Sequence, residues 1–321
     1  MKHLSLLAAA SVLTLAACTT APEDAPEVAE EVVVETVEAE VEEVVETVEA
    51  PEEIEAVVET VSAADALAAV LDAQPDETKA RYDARNPAQT LSFFGIEPGM
   101  TVAEALPGGG WYSKILIPYL GEEGTLIGAH YPDDMWPRFG MSAERVAARV
   151  EATANWATTA SEWDVEGAAI ASTILTDMPA DASGQVDAVL FIRAMHNLSR
   201  FSADTDYMDK TLSETFRVLK PGGIVGVVQH RAPEDATDES AMGQRGYLKE
   251  SAVIEAFEAA GFRLAATSSV NANPKDMPGS EQMVWRLQPA LSGTEEGTPE
   301  RAAMEAIGES DRMTLKFVKP A

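Results

Sequence analysis

The chain has 321 residues, enough for a sizeable core in one or two domains, with 54 Asp and Glu against 23 Lys and Arg and a net charge of −31. The acids are uneven: between Ala21 and Val61 stand 16 acidic residues and no Lys or Arg. Nowhere do bases cluster into the stripe that phosphate contacts demand, so nucleic acid is excluded as a partner.

The first segment reads MKHLSLLAAASVLTLAAC, with a positive start at Lys2 and an apolar run over 4–17 that ends in small residues. That is the layout of a secretory signal, and it is too short to span a bilayer. LAAC, at 15–18, resembles the bacterial lipobox, whose cysteine becomes the lipidated first residue after cleavage. Cys18 is the sole cysteine, so no disulfide forms within the chain, and a lone cysteine there reads as a lipid anchor. Thr19 in place of Asp implies sorting to the outer membrane. The expected organisation is a signal over 1–17, an acidic spacer over 18–61 and a folded domain over 62–321. Such a protein sits in the cell envelope, anchored to the membrane and facing the periplasm.

VVETV occurs three times in the spacer, from Val33, Val44 and Val57. Val34, Val37, Val41, Val44 and Val48 keep the spacing of one helical seam. Glutamates fill most other positions without Lys to pair across turns, so like-charge repulsion opposes the helix, and Pro51 breaks it. An extended spacer of roughly 35 Å or more is the expectation; a helical stalk is the other reading.

Beyond residue 62 charges mix and apolar runs become regular. Helices are predicted over 63–73 and over 78–93, the second interrupted at Asn86-Pro87. Strand 101–106 follows the Pro-Gly turn in IEPGM, then helix 111–120, strand 125–129, and helix 142–154 with Ser142 as its cap and Glu144 in its first turn. A weaker strand is read over 170–175. Strand 186–192, helix 203–219, strand 223–228 and helix 249–260 come next, then strands 262–268 and 313–318. This alternation implies a parallel sheet covered on both faces. No helix of ordinary length is read between the last two strands, so one of them is expected to run antiparallel.

In such a sheet ligands bind beyond the carboxyl ends of the strands, where the strand order reverses. The segment there is Glu104-Ala-Leu-Pro-Gly-Gly-Gly110, opening a helix at Trp111. Its glycines let a ligand approach the backbone, and the helix start offers free N–H groups to a carboxylate. With Glu104 suited to an amino group, the loop fits an amino-acid zwitterion better than a pyrophosphate.

Five segments carry a wider pattern: FFGIEPGMTVAEALPGGGWYSKILIPYLG (93–121), VDAVLFIRAMHNL (186–198), VLKPGGIVGVV (218–228), AFEAAGF (256–262) and IGESDRMTLKF (307–317). Together they resemble the class I S-adenosylmethionine-dependent methyltransferases, within them a group of bacterial methyltransferases of unassigned substrate. The resemblance implies an α/β Rossmann-like fold, with a seven-stranded, mostly parallel sheet, helices on both faces and an antiparallel last strand. It implies S-adenosyl-L-methionine as cofactor, held by Glu104, Pro107, Gly108, Gly109 and Gly110. Leu106 takes the place of the superfamily's first loop glycine, a trait the narrower group shares. His130 stands where an acid normally accepts the ribose hydroxyls, and Asp177 in LTDMP where a loop acid often meets the adenine amine.

Methyl transfer asks the protein to hold a nucleophile close and in line, with a base only where that nucleophile carries a proton. His130, His196 and His230 all fall at carboxyl ends of predicted strands. His196, in RAMHNL, is the preferred base or substrate binder, with Arg193 and Asn197 beside it; His230 and Arg231 come next. His196 and His230 are expected to share a pocket, but without a third ligand of clear spacing no metal site is assigned. RAMHNL lacks the Asn-Pro-Pro-aromatic signature of enzymes that methylate base or amide nitrogens, which favours a small-molecule substrate. Arg193 and Arg231 suit either an anionic substrate or ion pairs; Trp111 and Tyr112 suit a pocket wall or the core. Asp83 and Arg85 fit a lid, and Arg312 a structural role. Two functions stay open, a small-molecule methyltransferase and a non-catalytic ligand-binding lipoprotein of the same fold. A third reading gives the acidic segment a binding role of its own.

Overall fold

The computed structural model describes residues 61–321; the signal, Cys18 and the acidic segment lie outside them. Eight strands build the sheet: β1 (Thr101–Ala105), β2 (Thr125–His130), β3 (Ala169–Ile174), β4 (Val186–Ile192), β5 (Leu219–Ala232), β6 (Leu248–Lys249), β7 (Arg263–Ser268) and β8 (Arg312–Val318). Seven of them run in the order β3-β2-β1-β4-β5-β8-β7, with β6 pairing only the far end of β5. β8 is antiparallel to both β5 and β7, and the other pairings are parallel. This is the expected sheet, with a two-residue strand added.

The central strands are apolar at nearly every position because both faces of a parallel sheet are covered. Alternate side chains serve the two faces. Val189, Phe191, Val225, Val227 and Phe317 face one core, together with Leu212, Val253 and Phe257 of the helices Tyr207–Val218 and Glu250–Ala259. Val102, Leu126, Ala188 and Leu190 face the other, against Leu67, Leu91, Phe94 and Leu116 of the helices Ala63–Asp72, Pro87–Phe94 and Ser113–Leu120. Caps begin several helices: Ser62 Oγ accepts from the Asp65 N–H at 3.1 Å and Ser142 Oγ from the Arg145 N–H at 3.4 Å, satisfying donors that a first turn leaves free.

Several elements differ from the sequence reading. The helix expected over 78–93 forms three short pieces, Asp76–Lys79, Tyr82–Arg85 and Pro87–Phe94. Asn86 adopts a left-handed φ of 43° and Pro87 starts the last piece, as proline suits a first turn. His196 lies on a short helix, Met195–Arg200, that follows β4 directly. The stretch between β7 and β8 holds a nine-residue helix, Pro299–Ile307, where none of ordinary length was expected; Thr298 caps it and Pro299 opens it. Among the described residues no helix is long and apolar enough to cross a membrane.

Candidate functional site

The strand order reverses at β1, which lies between β2 and β4, so a crevice opens beyond the carboxyl ends of β1, β4 and β5. Two of its rims are made the same way. Leu106, after β1, donates its N–H to Ala129 O at 2.7 Å; Arg193, after β4, donates its own to Val228 O at 2.7 Å. Each residue then turns left-handed, at φ 52° and 61°. For side chains of this size that conformation costs on the order of 1 kcal/mol or more and concentrates at functional sites.

Between these rims lies a cavity of about 440 Å³, within the range of about 300–1,000 Å³ usual for small-molecule sites. Leu106, Pro107, Gly108 and Gly109 form one lip, and Trp111, Arg81 and Arg85 the side next to it. Arg193, His196 and His230 come from β4 and β5, while Trp285 and Pro289 close the cavity from the long connection before β8. At Gly109 no atom stands within 4 Å of where a side chain would begin, so the backbone faces open space. Gly110 differs: a Cβ there would lie 2.2 Å from the Trp163 ring. This last glycine serves packing away from the cavity.

His196 and His230 stand with ring centroids 5.9 Å apart, and Trp285 is 5.9 Å from His196. His230 Nδ1 shares a 2.6 Å hydrogen bond with Ser310 Oγ. Burial pushes the His196 imidazolium down to about 4, with Gln229 opposing and Arg193 and Arg200 adding to the fall. His230 is held well below its ordinary range by burial and then by His196 and the arginines. Both rings are therefore neutral at pH 7. His196 Nδ1 is buried without a hydrogen-bond partner, which is uncommon for a buried polar atom and calls for an explanation. A general base works best with a pKa near the working pH, so an imidazole at about 4 suits hydrogen-bond acceptance better than proton abstraction.

Glu104 lies under the loop, 4% exposed, and accepts a hydrogen bond from Ser113 Oγ at 2.6 Å. Burial raises its carboxyl to about 7, against the pull of Ser113 and Arg193. Behind the cavity Glu309 Oε1 meets Arg81 Nη1 at 2.8 Å and Arg85 Nε at 3.3 Å, and its Oε2 meets Arg312 Nη1 at 3.2 Å. Burial would raise Glu309, but Arg312, Arg85 and Arg193 outweigh it and hold the carboxyl below its usual value. The Arg85 guanidinium, 4.6 Å over the Trp111 ring, falls to about 10 through burial and then through Arg193. It remains protonated at neutral pH.

The cavity thus gathers Pro107, Gly108, Gly109, Arg193, His196 and His230 from the sequence-predicted set. It does not gather Glu104, which is buried beneath the loop, or Gly110, His130, Asn197 or Asp177. His130 is packed edge-on to Trp156, with centroids 5.5 Å apart and Nε2 buried without a partner; burial takes it down to about 4. Trp156 reaches it because Gly128, one turn of the pleat earlier, has no side chain, and a Cβ there would come within 2.5 Å of the indole. Asp177 is an exposed turn residue whose charge faces Arg217, and Asn197 stands beside the Tyr131 hydroxyl. Arg231 is tied to Asp311 at 2.8 Å and Glu250 at 3.0 Å, so its role is an ion pair. Among the described residues no three His, Cys, Asp or Glu side chains are placed to hold a metal. Arg81, Trp285, Pro289 and Glu309 were not singled out from the sequence; only the i, i+4 spacing of Arg81 and Arg85 hinted at a shared face.

No family model matches the sequence, and no curated protein matches it. Solved structures do. A SAM-dependent methyltransferase from Aquifex aeolicus is 15% identical, over 77% of this chain and 98% of its own, with a TM-score of 0.46. Geranyl diphosphate C-methyltransferase from Streptomyces coelicolor is 14% identical, over 76% and 84%, at 0.47. The partner of a Haloferax volcanii methyltransferase activator is 20% identical, over 81% and 98%, at 0.45. At these values the likenesses bear on neither activity nor ligand, and the α/β assignment rests on strand order and direction.

Proposed function

We propose that residues 62–321 form an S-adenosylmethionine-dependent methyltransferase domain acting on a small molecule. The observation that carries the reading is one cavity, at the reversal of strand order, where the open Pro107-Gly108-Gly109 lip meets His196 and His230. The five sequence segments resembling class I methyltransferases, and the antiparallel β8 inside an otherwise parallel sheet, support it.

The residues fit the cofactor at its amino-acid end. Pro107, Gly108 and Gly109 would hold it, since nothing fills the space before Gly109 and the buried Trp111 Nε1 lacks a partner. His130 and Asp177 are left out of that set, one closed off by Trp156 and the other exposed. When bound, the cofactor supplies an electrophilic methyl on a sulfonium. The chain positions the acceptor: His196 lines the cavity with its Nδ1 unpartnered, His230 is fixed by Ser310, and Trp285 with Pro289 walls one side. Alignment is the main contribution required of it.

Titration calorimetry of the full chain with S-adenosylmethionine and S-adenosylhomocysteine tests this. Dissociation constants below about 1 mM, or more than about 4 kcal/mol of binding, are expected. Weaker binding of both would favour the non-catalytic ligand-binding lipoprotein.

Cys18 as a lipid anchor, and residence at the outer membrane facing the periplasm, complete the proposal. Their support is the lipobox-like LAAC and Thr19. Cys18→Ser is expected to move the protein from the membrane fraction to the soluble one and to abolish labelling by a radioactive fatty acid. A membrane fraction unchanged in that variant would remove the anchor.

A further inference from the structure

Beside the cavity stands a concentration of charge that methyl transfer by itself does not use. Arg81, Arg85, Arg193 and Arg312 surround a single carboxylate, Glu309. Arg312 is further tied to Ser310 O and Ala84 O, and Arg81 and Arg85 keep N–H groups to spare after their contacts with Glu309. Arg193 makes no ion pair and no side-chain hydrogen bond among the described residues, although the charges of Arg312, Glu309, Arg81 and Glu104 act on it. Asp311, next along the chain, is occupied by Arg231 in a two-pronged pair. His196 and His230 contribute no charge at neutral pH, as their burial dictates.

Four guanidinium groups share Glu309, and the buried Glu104, on which Arg193 also acts, adds at most one further negative charge; with three of the four lining a cavity, the arrangement is unbalanced. Buried charge is costly unless it is paired. The cofactor as a whole does not balance it. S-adenosylmethionine carries a carboxylate, an ammonium and a sulfonium, so its net charge is positive and it adds to the excess. Even if its carboxylate meets one arginine, the excess persists, and an anionic group on the other reactant offsets it. Guanidinium forks match the planar oxygens of carboxylate and the tetrahedral oxygens of phosphate, and Arg85 is already oriented by Trp111 and Glu309.

We propose that the wall formed by Arg81, Arg85 and Arg193 binds an oxyanion group, carboxylate or phosphate, of the methyl acceptor. Assigning that anion to the acceptor rests on the methyltransferase reading; the anion site itself does not. Arg193 is its central contact, held across the cavity from the glycine lip by its left-handed backbone. His196, three residues on, faces the same space, so an acceptor gripped by its anionic end presents its remaining polar groups to the two histidines.

Citrate and, separately, inorganic phosphate are titrated into the full chain without cofactor at low salt. Saturable binding tighter than about 1 mM is expected for at least one of them, and the one that binds separates a carboxylate from a phosphate acceptor. Arg193→Asn is the informative variant, because asparagine tolerates a left-handed backbone. It is expected to weaken binding about tenfold or more, as loss of a charge-assisted hydrogen bond implies, with thermal unfolding unchanged. Arg193→Lys recovers part of the affinity, and Arg301→Gln, outside the cavity, leaves it as it was. No saturable binding of either anion at about 10 mM, or undiminished affinity in folded Arg193→Asn, overturns the proposal. Displacement of the anion by S-adenosylhomocysteine overturns its assignment to the acceptor, since the arginines would then serve the cofactor's carboxylate. Anion binding without any S-adenosylhomocysteine binding supports the site and removes the methyltransferase reading.

Discussion

Two crevices open beside β1, and they are finished in opposite ways. Toward β2, indoles fill the space: Trp156 lies over Gly128 and against His130, and Trp163 lies over Gly110. Toward β4 and β5 the space stays open, lined by the Gly108-Gly109 backbone, two neutral histidines and unbalanced arginines. Apolar filling releases surface from water and needs no ligand. Both crevices hold buried polar atoms without partners, His130 Nε2 and Trp156 Nε1 in the first and His196 Nδ1 in the second; the second adds open space and an unpaired cation, Arg193, which is costly by itself, and that addition marks it as the one built for binding.

The largest effect that sharpens this contrast is the response to acid. His130 in the closed crevice and His196 in the open one both have folded values of about 4, below the ordinary 6.5. The unfolded chain therefore takes up protons that the fold refuses, and stability falls as pH drops from about 6.5 toward 4. Each histidine contributes on the order of 3 kcal/mol to that loss. Equilibrium urea unfolding from pH 7 to 4 measures it, and His130→Phe and His196→Phe are each expected to remove a comparable share of the slope, His230 supplying a further share. If citrate or phosphate restores stability through its site at low pH, His196 should respond and His130 should not.

Glu104, between the two crevices, has the opposite sign. Its folded value of about 7 lies above the usual carboxylate value, so its share of stability is complete below about 4.5 and is lost as pH rises to about 7. Glu104→Gln is expected to stabilise the protein at pH 8 by on the order of 3 kcal/mol and to change little at pH 4.5. Equal effects at the two pH values would mean that folding does not raise the Glu104 carboxyl.

Smaller effects separate the two glycines. Gly110→Ala presses on Trp163 from a backbone of φ 75° and is expected to cost about 2 kcal/mol by overpacking. Gly109→Ala meets open space and should change thermal stability by less than about 0.5 kcal/mol, while lowering affinity for S-adenosylhomocysteine. A reversed ranking of their melting temperatures would contradict the division into a packed crevice and an open one.

The sheet was largely legible in the sequence because regular apolar runs and strand–helix alternation are local signals. The antiparallel β8 was expected, although the supporting reason was incomplete: Thr298 and Pro299 signalled a helix start that a near-polar segment concealed. His196 and His230 were legible from their position at strand ends. His130 occupied the same kind of position, yet its partner Trp156 lies 26 residues on, and only the Gly128 gap lets the two meet. Glu309 reaches Arg81 and Arg85 across more than 220 residues. No periodicity reports a contact of that range, so a cluster of charge read locally as isolated arginines became a wall only in three dimensions.

The position of β8 sets an order of assembly. It is the last of the eight strands in the chain, yet it inserts between β5 and β7, and the turn just before it supplies Glu309 and Ser310 while its first residue is Arg312. A chain emerging from the ribosome presents β1 to β5 and the glycine lip before these residues. During that interval β5 has an open edge, His230 lacks Ser310, and Arg81 and Arg85 lack Glu309. One strand thus closes the sheet and brings the groups that orient the pocket's arginines and His230.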